Sequence, residues 1–225
     1  MPWSTPNVVE ALAAESARAA EVVLSLDEAD FTRTTRCPPW DVKALVGHLY
    51  RDVDRILAYR DEPAGEPDTT SITYWTRSDP RGGAADVSAR ARLIAEGYPS
   101  GAELARAFDR RWREAAAAAL EMEPDRPIAT FAPTLRLDEY LKTRVLEMGV
   151  HGMDLAHALG RRPWITPEAA DVVRAILTGL LDGPPPASLG WDDATFFDTA
   201  TGRRPLTDAE RDSLGVRADR FPLLS

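Results

Sequence analysis

Glu147 and His151 stand four residues apart in the stretch DEYLKTRVLEMGVHGMDLAHALG. On a helix that spacing presents a carboxylate oxygen and an imidazole nitrogen side by side on one face. With Glu147 at zero and about 100° added per residue, His151 falls at about 40°, Tyr140 near 20° and Arg144 near 60°, with Asp154 about 20° to the other side. Apolar residues flank this polar stripe: Leu141, Val145, Met148, Leu155 and Leu159 on one side, Leu146, Val150 and Met153 on the other. Only Asp138, Lys142, Gly149 and Ala156 take the opposite face. A surface helix has one apolar and one polar side, so a charged stripe between two apolar flanks suggests one that points inward. A buried carboxylate is costly unless something pairs with it. A divalent cation held by Glu147 and His151 would satisfy both. A salt bridge from Arg144 to Glu147, with His151 an ordinary core histidine, would also do so, and a stripe left in solvent would need neither. Periodicity alone leaves all three open.

A tetrahedral metal site needs a further ligand from elsewhere, and the histidines number three: His48, His151 and His157. His157 lies about 240° around the helix from His151, so it is read as a packed or rim residue. His48 sits at the shoulder of the apolar stripe of another helix, about 60° from Leu45. Alone it reads as a hydrogen-bonded core histidine. Facing a Glu/His pair, it would complete a set of two imidazoles and one carboxylate, an accepted catalytic zinc arrangement with one position open. Asp154, one turn beyond His151, either orients that imidazole from behind or is a plain packing residue. Asp52, one turn after His48, has the same two readings. Cys37 is expected to be a packed small apolar residue with no base nearby, and Trp40 to close the bundle end, lining the pocket being the alternative.

The elements that must position these residues are helical. One helix is expected from about Pro6 to Leu24, with Thr5 as cap. Asp41 caps a second, reaching to about Arg60, whose Val42, Leu45, Val46, Leu49, Val53, Ile56 and Leu57 follow helical spacing. Residues 61–85, rich in Pro and Gly, read as a long loop, either a lid or a plain surface excursion. A short helix over 86–96 follows, and Ser100 with Glu103 forms a capping box for another reaching about Met122. The helix over 137–159 ends at Gly160. No strand of convincing length is expected in residues 1–160. The fold class is therefore all-α, a bundle with four principal helices over residues 1–165. Residues 166–225 form a short, mostly irregular C-terminal extension, with a helix over 167–181, no helical period in GWDDATFFDTATGRRPLT, where one short strand or hairpin is the alternative, and a capping box at Thr207 and Glu210.

Composition excludes several classes. With 27 basic against 36 acidic residues in 225, the net charge is −9, which argues against a phosphate-binding face and a nucleic-acid partner. Cys37 is the only cysteine, so neither an internal disulfide nor a Cys-rich zinc site is possible. No apolar run approaches the roughly 20 residues that span a bilayer, and the start has no basic region of a signal peptide. No membrane association and a cytoplasmic location are expected. Lys43 and Lys142 are the only lysines among the 27 basic residues, the usage of a high-GC bacterial genome.

Two passages, CPPWDVKALVGHL (37–49) and EYLKTRVLEMGVHGMDLAHALG (139–160), resemble the signature stretches of the mycothiol-dependent maleylpyruvate isomerase family, a branch of the DinB-like metal-binding bundles. The shared marks are the Trp before the second helix, the His within it, and the E-x-x-x-H-x-x-D run. The resemblance covers residues 1 to 165. It implies a DinB-like four-helix bundle in which His48, Glu147 and His151 hold a divalent metal, usually zinc. Many DinB-like proteins use three histidines, so Glu147 points to the mycothiol branch. The resemblance also implies mycothiol as thiol cosubstrate, bound through sulfur to the metal, and a small electrophilic substrate. A free thiol, with a pKa near 8.5, is mostly protonated at neutral pH, and coordination deprotonates it. Tyr140 and Arg144 would then touch the thiol or structure the pocket. A high-GC genome is compatible with an actinobacterial, mycothiol-making host.

The family's isomerase carries a larger C-terminal domain that helps form its active site, whereas only residues 166–225 follow the bundle here. Arg203 and Arg204 are read as solvated, contact with a substrate or thiol carboxylate being the alternative. The functional expectation is a thiol-dependent transferase or isomerase. The alternatives are a non-catalytic metal-binding module and a metal-dependent hydrolase using bound water. The electrophile and the choice between monomer and homodimer stay open.

Overall fold

Local signals place most of the helices in a computed structural model, which describes residues 5–77, 80–130 and 133–224. In chain order the helices are α1 (Thr5–Leu24), α2 (Val42–Ala58), α3 (Tyr74–Arg77), α4 (Pro80–Glu96), α5 (Gly101–Glu121), α6 (Leu137–Ala158), α7 (Pro167–Leu181), α8 (Asp193–Ala200) and α9 (Asp208–Leu214). The Asp41 carboxylate accepts the Ala44 N–H at 2.8 Å and so opens α2. Ser100 accepts the Glu103 N–H, and Glu28, from the loop after α1, takes those of Gly101 and Ala102. Three otherwise orphaned donors at the start of α5 are thereby met. Both bonds of the Thr207–Glu210 capping box form at α9.

The all-α, DinB-like fold is present. Helices α1, α5, α2 and α6 pack around a ring, each against the next and α6 back against α1. Helix α4 lies along α2, and α7 covers both α6 and α1. Gly149, opposite the polar stripe of α6, faces Ile165 and Val173 of the α7 region. Nearly every residue of α6 is consequently buried. That is why its polar stripe is flanked by apolar residues: it is a central helix, enclosed by the bundle on one side and α7 on the other.

Four local expectations differ from the structure. Helix α3 lies within residues 61–85, read as a loop. Helix α4 begins at Pro80, not near residue 86; proline suits a first helical turn, while the following Gly82 and Gly83 weaken the sequence signal. Residues 78 and 79 of the expected loop lie outside the described residues. Pro127–Ala129 and Thr134–Arg136 form a two-stranded antiparallel sheet, β1 and β2, with buried Ile128 opposite buried Leu135. Three residues per strand are too few for alternation to show. Finally, α8 occupies the stretch read as lacking helical period. Asp192 caps it, and Phe196 and Phe197 are buried, so tertiary packing outweighs a sequence of modest helix propensity.

Among the described residues, no helix is long and apolar enough to cross a membrane.

Candidate metal centre

Helix α2 contributes His48 and Asp52, α6 contributes Arg144, Glu147, His151 and Asp154, and the segment before α2 contributes Arg36, Cys37 and Trp40. His48 Nε2 lies 3.3 Å from Glu147 Oε2, and His151 Nε2 lies 3.2 Å from the same oxygen. The three donor atoms are within 4.8 Å of one another. A tetrahedron with metal–ligand bonds of about 2.05 Å has edges of about 3.3 Å, close to the separations on both sides of Glu147. These two separations would suit donors that share a cation. The Trp40 ring centroid is 4.8 Å from that of His48 and 5.9 Å from that of His151, so Trp40 packs against both imidazoles.

Arg144 does not neutralise Glu147 through a salt bridge. Its Nη1 donates to Asp52 Oδ1 at 2.6 Å, and its guanidinium lies over Tyr140. Tyr140 in turn packs edge-on against Tyr59 and is 2 % exposed. The pair Arg144 and Tyr140 therefore forms a buried floor along α6. Glu147 is left to the two histidines. Burial alone would raise its pKa, but the hydrogen bonds and charge of His151 and His48 hold it well below the usual carboxylate range.

Asp154 is fully buried and faces the other nitrogen of His151, with Nδ1 3.0 Å from its Oδ2. The same oxygen accepts from Cys37 Sγ at 3.0 Å and Arg203 Nη2 at 2.7 Å. Its partner Oδ1 accepts from Arg203 Nε and Arg36 Nε, each at 3.1 Å. Against the penalty of burial, the bonds from His151 and Arg203 keep Asp154 well below the ordinary range. For His151, burial opposes the charge, but its contacts with Asp154, Cys37 and Glu147 raise its pKa well above the usual value.

Two expectations are corrected here. Cys37 is half-buried and packs against the core as expected, but it is not remote from a base: a carboxylate, an imidazole 3.9 Å away and the Arg203 guanidinium at 3.5 Å surround its sulfur. Arg203 is an ion-pair partner of Asp154, with an 18 % exposed side chain, not a solvated residue. Arg204 is also engaged, pairing with Glu210 and donating to Thr199 Oγ1. Cys37, His151 and Asp154 also have metal-compatible spacing, but Arg36 and Arg203 already supply the positive charge on that side. His157 is exposed and takes no part.

The family model for the mycothiol maleylpyruvate isomerase N-terminal domain matches residues 12–156. The chain belongs to this family. No curated protein and no solved structure matches it. Within this maleylpyruvate isomerase N-terminal domain lie His48, Glu147, His151 and Asp154, whereas Asp198 and Arg203 lie beyond the matched residues. Sequence reading missed Arg36, Asp198 and Arg203 as members of the constellation. Arg36 is 118 residues from Asp154 along the chain and Arg203 is 49. The one available signal was Asp154 itself, an acidic residue between apolar flanks that demanded a cationic partner.

Proposed function

We propose that His48, Glu147 and His151 hold one divalent cation, with zinc suited to two imidazoles and a carboxylate. The protein then acts with mycothiol on a small electrophile, as an isomerase or S-transferase. The observation that carries this reading is that both histidine Nε2 atoms approach one Glu147 oxygen at 3.2 and 3.3 Å. The neighbouring carboxylates, Asp52 and Asp154, already have arginine partners. When bound, the cation would supply a thiolate nucleophile at neutral pH.

The chain's own residues do the rest. Asp154 keeps a proton on His151 Nδ1, which would leave Nε2, on the Glu147 side, as the nitrogen available to a cation. Trp40 covers the two imidazoles with an apolar surface. The Glu147 side chain is 19 % exposed, so the site is open to solvent at that point. Arg144 offsets the charge of Asp52 through Oδ1, while Asp52 Oδ2 lies 3.4 Å from His48 Nε2 at the edge of the site.

The test is metal content by mass spectrometry, in protein purified without chelator or nickel affinity, beside Glu147→Gln. About one metal per chain, much reduced in the variant, is expected, together with electrophile turnover that depends on added thiol. Wild type that neither carries metal nor takes up zinc would sink the reading. Turnover without thiol would favour hydrolysis, and metal without any turnover would favour a binding module.

A further inference from the structure

We propose that Arg36, Asp198 and Arg203 are positioning residues for His151, acting through Asp154, so that the chain beyond the family match is a working part of the site. This inference rests on the metal-centre reading for its functional consequence.

Arg203 grips both oxygens of Asp154, Nε on Oδ1 and Nη2 on Oδ2, a fork that fixes the plane of the carboxylate as well as its position. Its remaining nitrogen, Nη1, donates to the Thr201 carbonyl at 2.8 Å, so the fork is itself anchored. Arg36 takes Oδ1 from the opposite chain segment and is held by Asp198 at 2.9 and 3.1 Å. Asp198 and Arg203 come from one compact turn, because the backbone N–H groups of Arg203 and Arg204 both donate to the Asp198 carbonyl. Gly202, at φ +76° in the left-handed region, allows the chain to reverse there. Burial of Phe196 and Phe197 seats that turn on the bundle.

The two imidazoles are held unequally. His48 Nδ1 is buried with no hydrogen-bond partner among the described residues, so behind its Nε2, which faces Glu147 and Asp52, the ring has only packing on Trp40. His151 is set by Asp154. A carboxylate bonded to the imidazole alone could rotate or take its proton. Forked by Arg203 and braced by Arg36, it is confined to accepting from Nδ1–H, which leaves Nε2 facing Glu147. Two arginines and two aspartates in this network sum to zero charge, so the brace places no net charge beside the cation.

The experiment compares wild type, Arg203→Gln, Asp198→Asn, Asp154→Asn and the Asp154→Asn/Arg203→Gln double variant. Zinc affinity is measured by chelator competition, and the bound site by the cobalt(II) absorption spectrum. Loss of a residue that orients a ligand typically weakens metal binding ~10–100-fold. Asp154→Asn is expected in that range, Arg203→Gln and Asp198→Asn to shift in the same direction, and the double variant to be no weaker than Asp154→Asn alone. A lower melting temperature with unchanged zinc affinity and cobalt spectrum would overturn the proposal, as would additive losses in the double variant. A readout without metal separates this failure from failure of the metal reading. In the metal-free protein, nuclear magnetic resonance should show the His151 Hδ1 proton protected from exchange in wild type and unprotected in Arg203→Gln. Equal protection in both would overturn the brace even if zinc binds.

Discussion

The guanidinium of Arg144 sits 2.6 Å from Asp52, and both partners are nearly sealed from water, at 7 % and 1 % exposure. Taking charges out of water costs several kcal/mol per ion, and here attraction and hydrogen bonding offset it. Removing one partner strands the other. Arg144→Met is therefore expected to destabilise the protein by about 3–5 kcal/mol in urea unfolding, with Asp52→Asn/Arg144→Met recovering much of the loss. An unchanged midpoint for the single variant would show the pair to be dispensable. The pairing also decides the chemistry nearby. With Arg144 bound to Asp52, the only charged groups within hydrogen-bonding or ion-pair reach of Glu147 among the described residues are the two histidines.

Helix α2 must approach α4 closely for Trp40 to be held over the imidazoles, since Trp40 Nε1 donates to the Ser88 carbonyl of α4 at 3.4 Å. Gly47 makes that approach possible. A Cβ there would lie 2.5 Å from the Ala91 carbonyl oxygen and 3.3 Å from the Ala95 nitrogen, both of them backbone atoms that cannot swing aside. Gly47→Ala should force the helices apart and destabilise by about 1–3 kcal/mol. Gly65→Ala, where nothing lies within 4 Å of the added atom, is the matched control and should be close to neutral. Equal midpoints for the two variants in urea would show that the helices yield without strain. The start of α2 is governed more simply. Asp41→Ala removes the cap about two turns before His48 and should cost about 1 kcal/mol by the same measurement.

Across the whole molecule, Glu15 ties α1 to the segment entering α7, its Oε2 accepting the Thr166 N–H at 2.7 Å. It is fully buried, and its other oxygen has no hydrogen-bond partner among the described residues. Burial raises its pKa above 4.5, although contacts with Thr166, Trp164 and Arg18 pull the other way. Below that pH both folded and unfolded chains carry the proton. As pH rises past 4.5, the unfolded chain ionises first, so this group's contribution to stability falls until the folded carboxyl also ionises. Glu15→Gln should therefore be more stable than wild type at neutral pH, with an advantage that shrinks as the pH falls towards 4.5. A difference independent of pH in urea unfolding would refute this. How much of all this could be read from residues alone depends on range. The bounds of α7, the Asp41 cap and the Thr207–Glu210 box were legible because each is written in a few adjacent residues and a helical period. The polar stripe of α6 was legible for the same reason, and the resemblance carried by residues 37–49 and 139–160 pointed to His48 as its counterpart. Helix α8 and the short hairpin were not, because burial against distant residues outweighs weak local preference. The sequence by itself determined the principal helices of the bundle, the family and the residue types available to a cation. Only the tertiary structure decided that Arg144 pairs with Asp52 instead of Glu147, and that Arg36 and Arg203 converge on Asp154. An ion pair forms between whichever side chains the packed faces bring within reach, and separation along the chain does not encode that.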